Sequence, residues 1–315
     1  FSTPVELLRF VARLRELSGG KPTGFKLCIG HPWEWFAIVK AMLETDITPD
    51  FIIIDGAEGG TGAAPVEFTD HVGTPLQEGL RLAHNTLRGV NLRERIKLGC
   101  AGKVITSFDI ARMLALGADW CNAARGFMMA IGCLQAQTCH TGHCPTGVTT
   151  QDPIRQRALV VADKAPRVAQ FHANTLHALK ELLQAAGLTH PDQVTSHHIV
   201  RRIDDTEVRQ LSVLLPSTPR GALLRDLASL PTVFRLFWPL ASAHSFAPQV
   251  PEPGEQDAAH DVAQQLLDAS PPEPAPIDTV TPAQAHRPEA LPASATQVPA
   301  SWRASDPVQG DGATG

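Results

Sequence analysis

Four strand–loop–helix units follow one another in residues 1–133 and constrain the fold more than any other feature of this chain. Strands are predicted at 24–29, 51–55, 96–100 and 120–123, and helices at 4–17, 31–44, 74–88, 106–117 and 127–133. The strands are continuous apolar runs, which is typical of a parallel sheet covered by helices on both faces. The order of elements predicts an α/β fold, either a (β/α)8 TIM barrel or a doubly wound sheet.

Several helix starts carry side chains that can cap the first turn. Thr3 and Glu6 form a capping box, and Thr74 with Gln77 predicts a second box at the start of the helix that runs to about residue 88. Thr106 or the next residue, Ser107, is expected to cap the following helix. Farther along the chain, helices are predicted over 164–186 and 191–201.

The composition changes near the end of the chain. Residues 246–315 hold twelve of the 26 prolines and only two bulky aromatic residues. Such a segment buries too little apolar surface to offset the entropy lost on ordering. We therefore expect a disordered, Pro- and Ala-rich tail over 241–315, preceded by a helical extension over 206–240.

Charge and hydropathy exclude two classes of partner. The net charge of −5 does not indicate binding to nucleic acid. No apolar run approaches the ~18 residues that a membrane-spanning helix needs. Reduced cysteines are usual in cytosolic enzymes, so the predicted localisation is cytoplasmic.

Three of the six cysteines lie within twelve residues, as Cys133, Cys139 and Cys144 in the pattern C-x5-C-x4-C-P. The loop is rich in Gly, Thr and His and nearly free of bulky apolar residues. It can hold an iron–sulfur cluster, whose ligands are thiolates on a flexible loop. Zinc with His140 or His143 as a fourth ligand, or disulfides, are the alternatives. The remaining cysteines, at positions 28, 100 and 121, are expected to lie in the core.

Candidate functional residues cluster where the predicted strands end, which is where barrel enzymes place their chemistry. They are Lys26 within the first strand and the segments 55–62, 99–103 and 122–126. Glycines in these loops let backbone N–H groups approach an anion or a flat ring, although the pattern is not a nucleotide P-loop. Lys26 in a buried strand needs a partner or a ligand, and Asp55 and Glu58 are the candidates.

Together these residues resemble the flavin-binding domain of glutamate synthase. The similarity is carried by Phe25-Lys-Leu27, Asp55-Gly-Ala-Glu-Gly-Gly-Thr-Gly-Ala63, Gly73-Thr-Pro75, Gly117-Ala-Asp119 and the cysteine loop ending in Cys144-Pro-Thr-Gly-Val-Thr-Thr-Gln-Asp-Pro153. It covers about residues 20–205 and is strongest with the shorter FMN-binding members that lack a glutamine amidotransferase domain.

The resemblance implies an FMN barrel with a [3Fe-4S] cluster held by Cys133, Cys139 and Cys144. Electrons would come from ferredoxin or from an NAD(P)H-linked subunit. They would cross the cluster to FMN and reduce 2-iminoglutarate, made from 2-oxoglutarate and ammonia or glutamine-derived nitrogen, to L-glutamate. The implied catalytic residues are Lys26, Asp55 and Glu58. The implied FMN-binding residues are Lys26, Gly59, Gly60, Thr61, Gly62, Gly102, Lys103, Arg125 and Gly126.

The family barrel has eight strands, whereas four are predicted here. Residues 1–205, including the cluster loop 133–153, are therefore expected to be the C-terminal half of a barrel whose first half precedes Phe1. Half a barrel exposes two strand edges, so this chain alone is expected neither to fold stably nor to bind FMN. Two other functions remain open: a flavin and iron–sulfur oxidoreductase acting on another oxo acid or imine, and a non-catalytic subunit that binds a cluster or zinc.

Overall fold

The structure is a computed structural model that describes residues 1–58, 66–68 and 70–249. The helices are α1 (Pro4–Leu17), α2 (Pro32–Thr45), α3 (Leu76–Gly89), α4 (Ser107–Ala115), α5 (Arg125–Ala130), α6 (Pro153–Gln156), α7 (Val161–Ala185), α8 (Leu211–Leu214) and α9 (Thr232–Phe237). The strands are β1 (Gly24–Cys28), β2 (Phe51–Asp55), β3 (Lys97–Ala101), β4 (Trp120–Asn122), β5 (Val200–Arg202) and β6 (Val208–Gln210).

The first four strands form one parallel sheet in the order β1-β2-β3-β4. Each strand lies beside the next one in the chain, and a helix follows each of them. This confirms the predicted α/β fold with a parallel sheet. The register places Cys28 beside Asp55, and Asp55 beside Ala101, so the carboxyl ends of three strands lie side by side.

The two faces of this sheet differ. The covered face carries Phe25, Leu27, Ile52, Ile54, Leu98, Cys100 and Cys121, since successive side chains of a strand point to opposite faces. Ile52, Ile54 and Leu98 have no exposed surface and belong to one core with Trp35 and Leu80 of the flanking helices. This core is what holds α2 and α3 against the sheet.

The open face carries Gly24, Lys26, Cys28, Phe51, Ile53, Asp55, Lys97, Gly99, Ala101, Trp120 and Asn122. Lys26, Cys28 and Asn122 are exposed on it. The prediction of a sheet covered on both faces, and of Lys26 in a buried strand, is therefore wrong for the residues that the structure describes. The reason is that Lys26 and Cys28 alternate with Phe25 and Leu27 along β1 and so point away from the helix-packed core.

An aromatic pair crosses the open face near the amino ends of the strands. The rings of Phe51 and Trp120 meet edge-on with centroids 6.0 Å apart, although β3 runs between their strands. Gly99 of β3 makes this possible, because a Cβ there would lie 2.5 Å from the Trp120 ring. The absence of a side chain at Gly99 is therefore a packing requirement.

The predicted caps are correct for two helices and wrong for one. The Thr3 hydroxyl of α1 accepts from the Glu6 backbone N–H at 3.2 Å, and Thr106 caps α4 in the same way through Asp109. At α3 the Thr74 box does not form, and Glu58, eighteen residues earlier, accepts from the first helical N–H instead. A long-range carboxylate has replaced the local cap.

The segment after α7 contains another correction. A helix predicted over 191–201 is replaced by 3-10 turns at Pro191–Gln193 and Ser196–His198, followed by β5. The Gln193 side chain accepts from the backbone N–H groups of Thr189 and His190, which caps the start of the first turn, and the turn ends at Val194, whose backbone is extended. The next residues then pair with β6 as a short antiparallel hairpin.

The region 206–240 is only partly helical, in contrast to the predicted helical extension. It contains β6, α8, a 3-10 turn at Ala222–Leu224 and α9, joined by irregular chain. Its buried residues Leu211, Leu223 and Phe234 join the main core, and the Phe234 ring stacks on Phe36 with centroids 5.5 Å apart. One continuous helix over this region would not bring all three of these residues into the core.

The predicted tail begins too early. Ala241 and Ala243 are buried, and the Val5 backbone N–H donates to the Ala243 carbonyl at 3.2 Å. Residues 241–249 therefore pack against the core, whereas the rest of the predicted tail, 250–315, lies outside the described residues. Within the part that is described, no helix has both the length and the apolar character to span a membrane.

Candidate active site at the carboxyl edge of the sheet

Three loops meet where β1, β2 and β3 end. The Gly56 backbone N–H donates to the Ala101 carbonyl at 2.7 Å, and the Ala57 N–H donates to the Thr74 carbonyl at 3.1 Å. The Thr74 N–H in turn donates to the Ile29 carbonyl at 2.8 Å. These bonds join the loops after neighbouring strands, so their side chains are held at one edge of the sheet.

Lys26 and Asp55 form an ion pair on the open face. The distance from Lys26 Nζ to Asp55 Oδ2 is 2.6 Å, and the two side chains are 50% and 30% exposed. The predicted pairing of Lys26 with Asp55 is thus present in the structure, with the ammonium group accessible to solvent. A pair so exposed contributes little to stability, which leaves its charges available to a ligand.

Glu58 is paired with the backbone of α3 and not with Lys26, whose ion-pair partner is Asp55. Both of its carboxylate oxygens lie 2.9 Å from the Leu76 backbone nitrogen, at the amino terminus of α3. A carboxylate is favoured there because it meets unpaired N–H groups and the positive end of the helix dipole. Glu58 therefore fixes the start of α3 relative to the loop after β2.

Two glycines leave room for this carboxylate. A Cβ on Gly56 would lie 2.0 Å from Glu58 Oε2, and a Cβ on Gly102 would lie 3.2 Å from the same atom. Gly102 also has φ +148°, which side-chain-bearing residues rarely adopt. The residues Gly59, Gly60, Thr61 and Gly62, predicted to bind a cofactor, lie outside the described residues.

Lys103 provides a second cation just beyond β3. Its Nζ lies 2.6 Å from Asp70 Oδ1, and its backbone has φ +48°. A lysine in this left-handed region is uncommon and carries a conformational cost, which in proteins is often found at functional sites. The geometry therefore directs a second lysine to the same edge of the sheet as Lys26.

The loop after β4 has a packing role at Gly126. Arg125 and Gly126 begin α5, and a Cβ on Gly126 would lie 2.8 Å from the Phe171 ring of α7. The neighbouring Phe127 meets Phe171 edge-on with centroids 5.1 Å apart. Close contact between α5 and α7 accounts for the glycine, and the binding role of both residues stays a prediction.

Cys28 belongs to this site, although the sequence placed it in the core. It is exposed at the end of β1, and a Cβ on Gly73 would lie 2.2 Å from its sulfur. Partial desolvation raises the pKa of the Cys28 thiol, and the nearby Asp55 carboxylate raises it further. Strand alternation, which puts Lys26 and Cys28 on one face, is the signal that identifies it.

The cysteine loop lies between α5 and α6. Cys133 and Cys139 are partly exposed and Cys144 is buried, and all six cysteines of the chain are free thiols. Burial acts to raise the pKa of Cys144, but hydrogen bonds from the Thr146 hydroxyl and from backbone N–H groups outweigh it and lower the pKa to about 6. These hydrogen bonds therefore favour the thiolate form of Cys144.

The backbone of the loop is unusual. Gln135 and Gln137 have φ values of +56° and +55°, in the left-handed region. The Gln135 N–H donates to the Cys133 sulfur at 3.4 Å. Within the described part of the chain, no three His, Cys, Asp or Glu side chains are grouped closely enough to hold a metal ion.

Comparison with known proteins gives a consistent family assignment. Residues 1–189 match the family described as the conserved region in glutamate synthase. The glutamate synthase large subunit-like protein YerD of Bacillus subtilis is 41% identical over 215 residues, which are 68% of this chain and 41% of that protein. An archaeal glutamate synthase (NADPH) of Methanocaldococcus jannaschii is 35% identical over 184 residues, 58% of this chain and 35% of the relative.

The matched part of the chain thus spans 41% and 35% of the length of these two relatives. Among solved structures, a mutant flavocytochrome b2 with pyruvate bound is similar, with 13% sequence identity and a TM-score of 0.33. That similarity covers 70% of this chain and 44% of the solved chain.

Proposed function

Because this chain belongs to the glutamate synthase family, we propose that the carboxyl edge of its sheet forms part of an FMN site. At this site 2-iminoglutarate would be reduced to L-glutamate. The observation that carries this proposal is the family match over residues 1–189, which contains both the Lys26–Asp55 pair and the cysteine loop. The imine would form from 2-oxoglutarate and ammonia or glutamine-derived nitrogen. Ferredoxin or an NAD(P)H-linked subunit would supply electrons.

We propose that residues 1–205 form half of a (β/α)8 barrel. Four parallel strands in chain order with helices on one face are what such a half contains. The open face, with its glycines, lysines and Asp55, would then be turned to the barrel interior. Its aromatic pair Phe51–Trp120 would fill the interior near the amino ends of the strands.

The chemistry of the carboxyl edge fits an anionic, flat cofactor. Lys26 and Lys103 present two ammonium groups there, and each is balanced by one aspartate. Lys26, Gly102, Lys103, Arg125 and Gly126 would hold FMN together with the glycine loop 59–62. FMN would supply the hydride for reduction of the substrate, while the protein supplies placement and charge.

The donor set of the cysteine loop fits an iron–sulfur cluster. Cys133, Cys139 and Cys144 would be the ligands of a [3Fe-4S] cluster, which would relay electrons. The lowered pKa of Cys144 and the N–H···S bond at Cys133 both favour thiolate ligands of such a cluster. Gln135 and Gln137 in this loop lie in the left-handed region, and such backbone strain is often found at functional sites.

The chain's own residues would act on the substrate by charge and position. The Lys26 ammonium would bind a carboxylate of the oxo acid or imine through charge-assisted N–H···O bonds. Asp55 would fix the direction of the Lys26 side chain, since the two are already in contact. Glu58 would act indirectly, because its bond to the Leu76 N–H fixes the position of the loop after β2 relative to the start of α3.

The test is glutamate formation by the intact protein, purified without oxygen, from 2-oxoglutarate, ammonia and a chemical reductant. Lys26→Met should lower kcat/KM by about 10- to 100-fold, because one charge-assisted bond to the substrate is lost. Lys21→Met, an exposed lysine just before β1, is the matched control and should change it less than twofold. Flavin, iron and acid-labile sulfide are measured on both variants.

Equal activities of the two variants would show that Lys26 does not bind the substrate. A protein without flavin, or with zinc in place of iron, would favour the non-catalytic alternative. Activity with other oxo acids but not with 2-oxoglutarate would keep the flavin chemistry and change the substrate.

A further inference from the structure

A cavity of about 640 Å3 opens at the amino edge of the sheet, away from the candidate active site. We name it the amino-edge cavity; its lining includes Arg81, Arg88, Lys97, Asp119, Leu215 and Ser217. Lys97 is the first residue of β3, whose last residue lies at the carboxyl edge. A strand of this length separates the two regions by roughly 13 Å.

Positive charge dominates the lining of the cavity. Arg81, Arg88, Arg93 and Lys97 face two carboxylates, those of Asp119 and Asp192. Asp119 is already used, because it accepts from Arg93 at 2.8 Å and lies 3.4 Å from Lys97. Asp192 is paired with His190 at 2.6 Å.

Arg81 and Arg88 have no carboxylate in direct contact. Among the residues that the structure describes, neither has an acidic side chain within 4.0 Å. The Arg88 Nε donates to the Thr218 carbonyl at 2.8 Å, and the terminal Arg81 nitrogen reaches only the Pro216 carbonyl, at 3.5 Å. The Arg81 Nε is buried without a hydrogen-bond partner.

A half-buried guanidinium group without an ion-pair partner costs free energy. Desolvation lowers the pKa of Arg81, against a weaker opposite effect of the Glu78 carboxylate one turn earlier on α3. A buried donor without an acceptor adds to this cost. The two arginines lie two turns apart on α3, at positions i and i+7, so they face the same side of the helix. An anion in contact with both guanidinium groups would give each of them the charged partner that it lacks.

We propose that the amino-edge cavity binds a phosphate-bearing metabolite, with its phosphate group between Arg81 and Arg88 and its organic body against the apolar wall. A phosphate is favoured over one carboxylate because it is close to a dianion at neutral pH and offers three acceptor oxygens to two planar guanidinium groups. Leu116 and Leu215 supply apolar surface, and the volume is that of a small-molecule site.

The test is calorimetric titration of the intact protein, with its own cofactors bound, using AMP, inorganic phosphate and citrate as probes. AMP should bind more tightly than inorganic phosphate, because only AMP has a body for the apolar wall. Arg81→Gln and Arg88→Gln should each weaken AMP binding by about tenfold or more. Arg9→Gln on the exposed side of α1 is the control and should leave it unchanged.

Arg81→Gln is the more informative variant, because Arg88 also supports the Thr218 segment and its loss could disturb the fold. The proposal is overturned if AMP does not bind at ~10 mM, the concentration range of weak metabolite sites. It is also overturned if Arg81→Gln binds AMP as the unaltered protein does, or if all three probes bind alike and are released together by moderate salt, which would show unselective attraction of anions. The result does not depend on glutamate formation.

Discussion

On the covered face of the sheet, Ile52, Ile54 and Leu98 have no exposed surface, whereas on the open face Lys26, Cys28 and Asn122 all reach solvent. Both faces are built from the same four strands, so the difference comes only from which alternate residues meet the helices. Burial of the covered face supplies the free energy that holds the unit together. The open face, which has less packing to satisfy, can carry charged and polar groups.

The largest effect should come from neighbouring isoleucines of β2. Ile54→Ala on the covered face should lower the free energy of unfolding of the intact protein by about 2–5 kcal/mol, because it leaves a cavity in a closed core. Ile53→Ala, one residue earlier on the half-buried open face, should cost less than half as much. Chemical denaturation of the two variants measures the difference. Equal losses would mean that both faces are packed alike in the intact protein.

Charge should also be disfavoured at His84 of α3, a half-buried residue that lines the amino-edge cavity. Burial lowers the pKa of His84 to about 4, and Arg93 and Arg88 act in the same direction against a weaker opposite effect of Asp119. In the unfolded chain histidine titrates near 6.5. Between these values the unfolded state binds the extra proton, so stability falls as the pH falls from about 6.5 to 4, by up to roughly 3 kcal/mol.

His84→Gln keeps an acceptor for the Arg93 Nε, which lies 3.2 Å from His84 Nδ1. It should flatten the pH dependence of unfolding in this window. His177→Gln, an exposed histidine of α7, serves as the control and should leave the dependence as it is. A slope that persists in His84→Gln would assign it to other groups.

Glycines on the two sides of the sheet should respond oppositely to alanine. Gly99→Ala on the open face places a Cβ 2.5 Å from the Trp120 ring and should cost about 1–3 kcal/mol, because the indole must move. Gly79→Ala in α3, over the covered face, meets Ile54 at 3.4 Å and should gain up to about 1 kcal/mol from helix propensity. Thermal unfolding compares them, and destabilisation by both would contradict the assignment of free space above Ile54.

The smallest effect is expected at Glu58, whose carboxylate accepts from the first backbone N–H of α3. Glu58→Ala should cost about 1 kcal/mol, since the Leu76 N–H loses its acceptor at the helix start. Glu67→Ala, an exposed glutamate in the same region of the chain, should be neutral. Urea denaturation of the variants gives the comparison. A neutral Glu58→Ala would show that water replaces the carboxylate at this end of α3.

Local pattern was enough to predict most of the parallel sheet. The apolar run Phe51–Asp55 is a strand over the predicted residues, and the Thr3–Glu6 box starts α1 as expected. Both depend on residues close together in the chain. The family resemblance, carried by short motifs at the strand ends and in the cysteine loop, was confirmed by the match over residues 1–189.

Contacts between distant residues account for what the sequence did not reveal. The Thr74 box fails because Glu58 reaches α3 through space left by Gly56 and Gly102, and no local pattern shows this. Cys28 was assigned to the core because its strand is apolar, although it shares the open face with Lys26 and is exposed there. The amino-edge cavity joins residues of α3 to residues more than one hundred positions later, so only the folded chain reveals it.

The aromatic pair across the open face gives the protein an optical reporter of its own. Trp120 lies half-buried against Phe51, and its Nε1–H donates to the Asn122 side chain at 3.2 Å. The emission of an indole shifts to shorter wavelength when water around it is displaced. Any chain segment or ligand that settles on the open face should therefore change the fluorescence of Trp120, so that closure of this face can be followed in real time without a label.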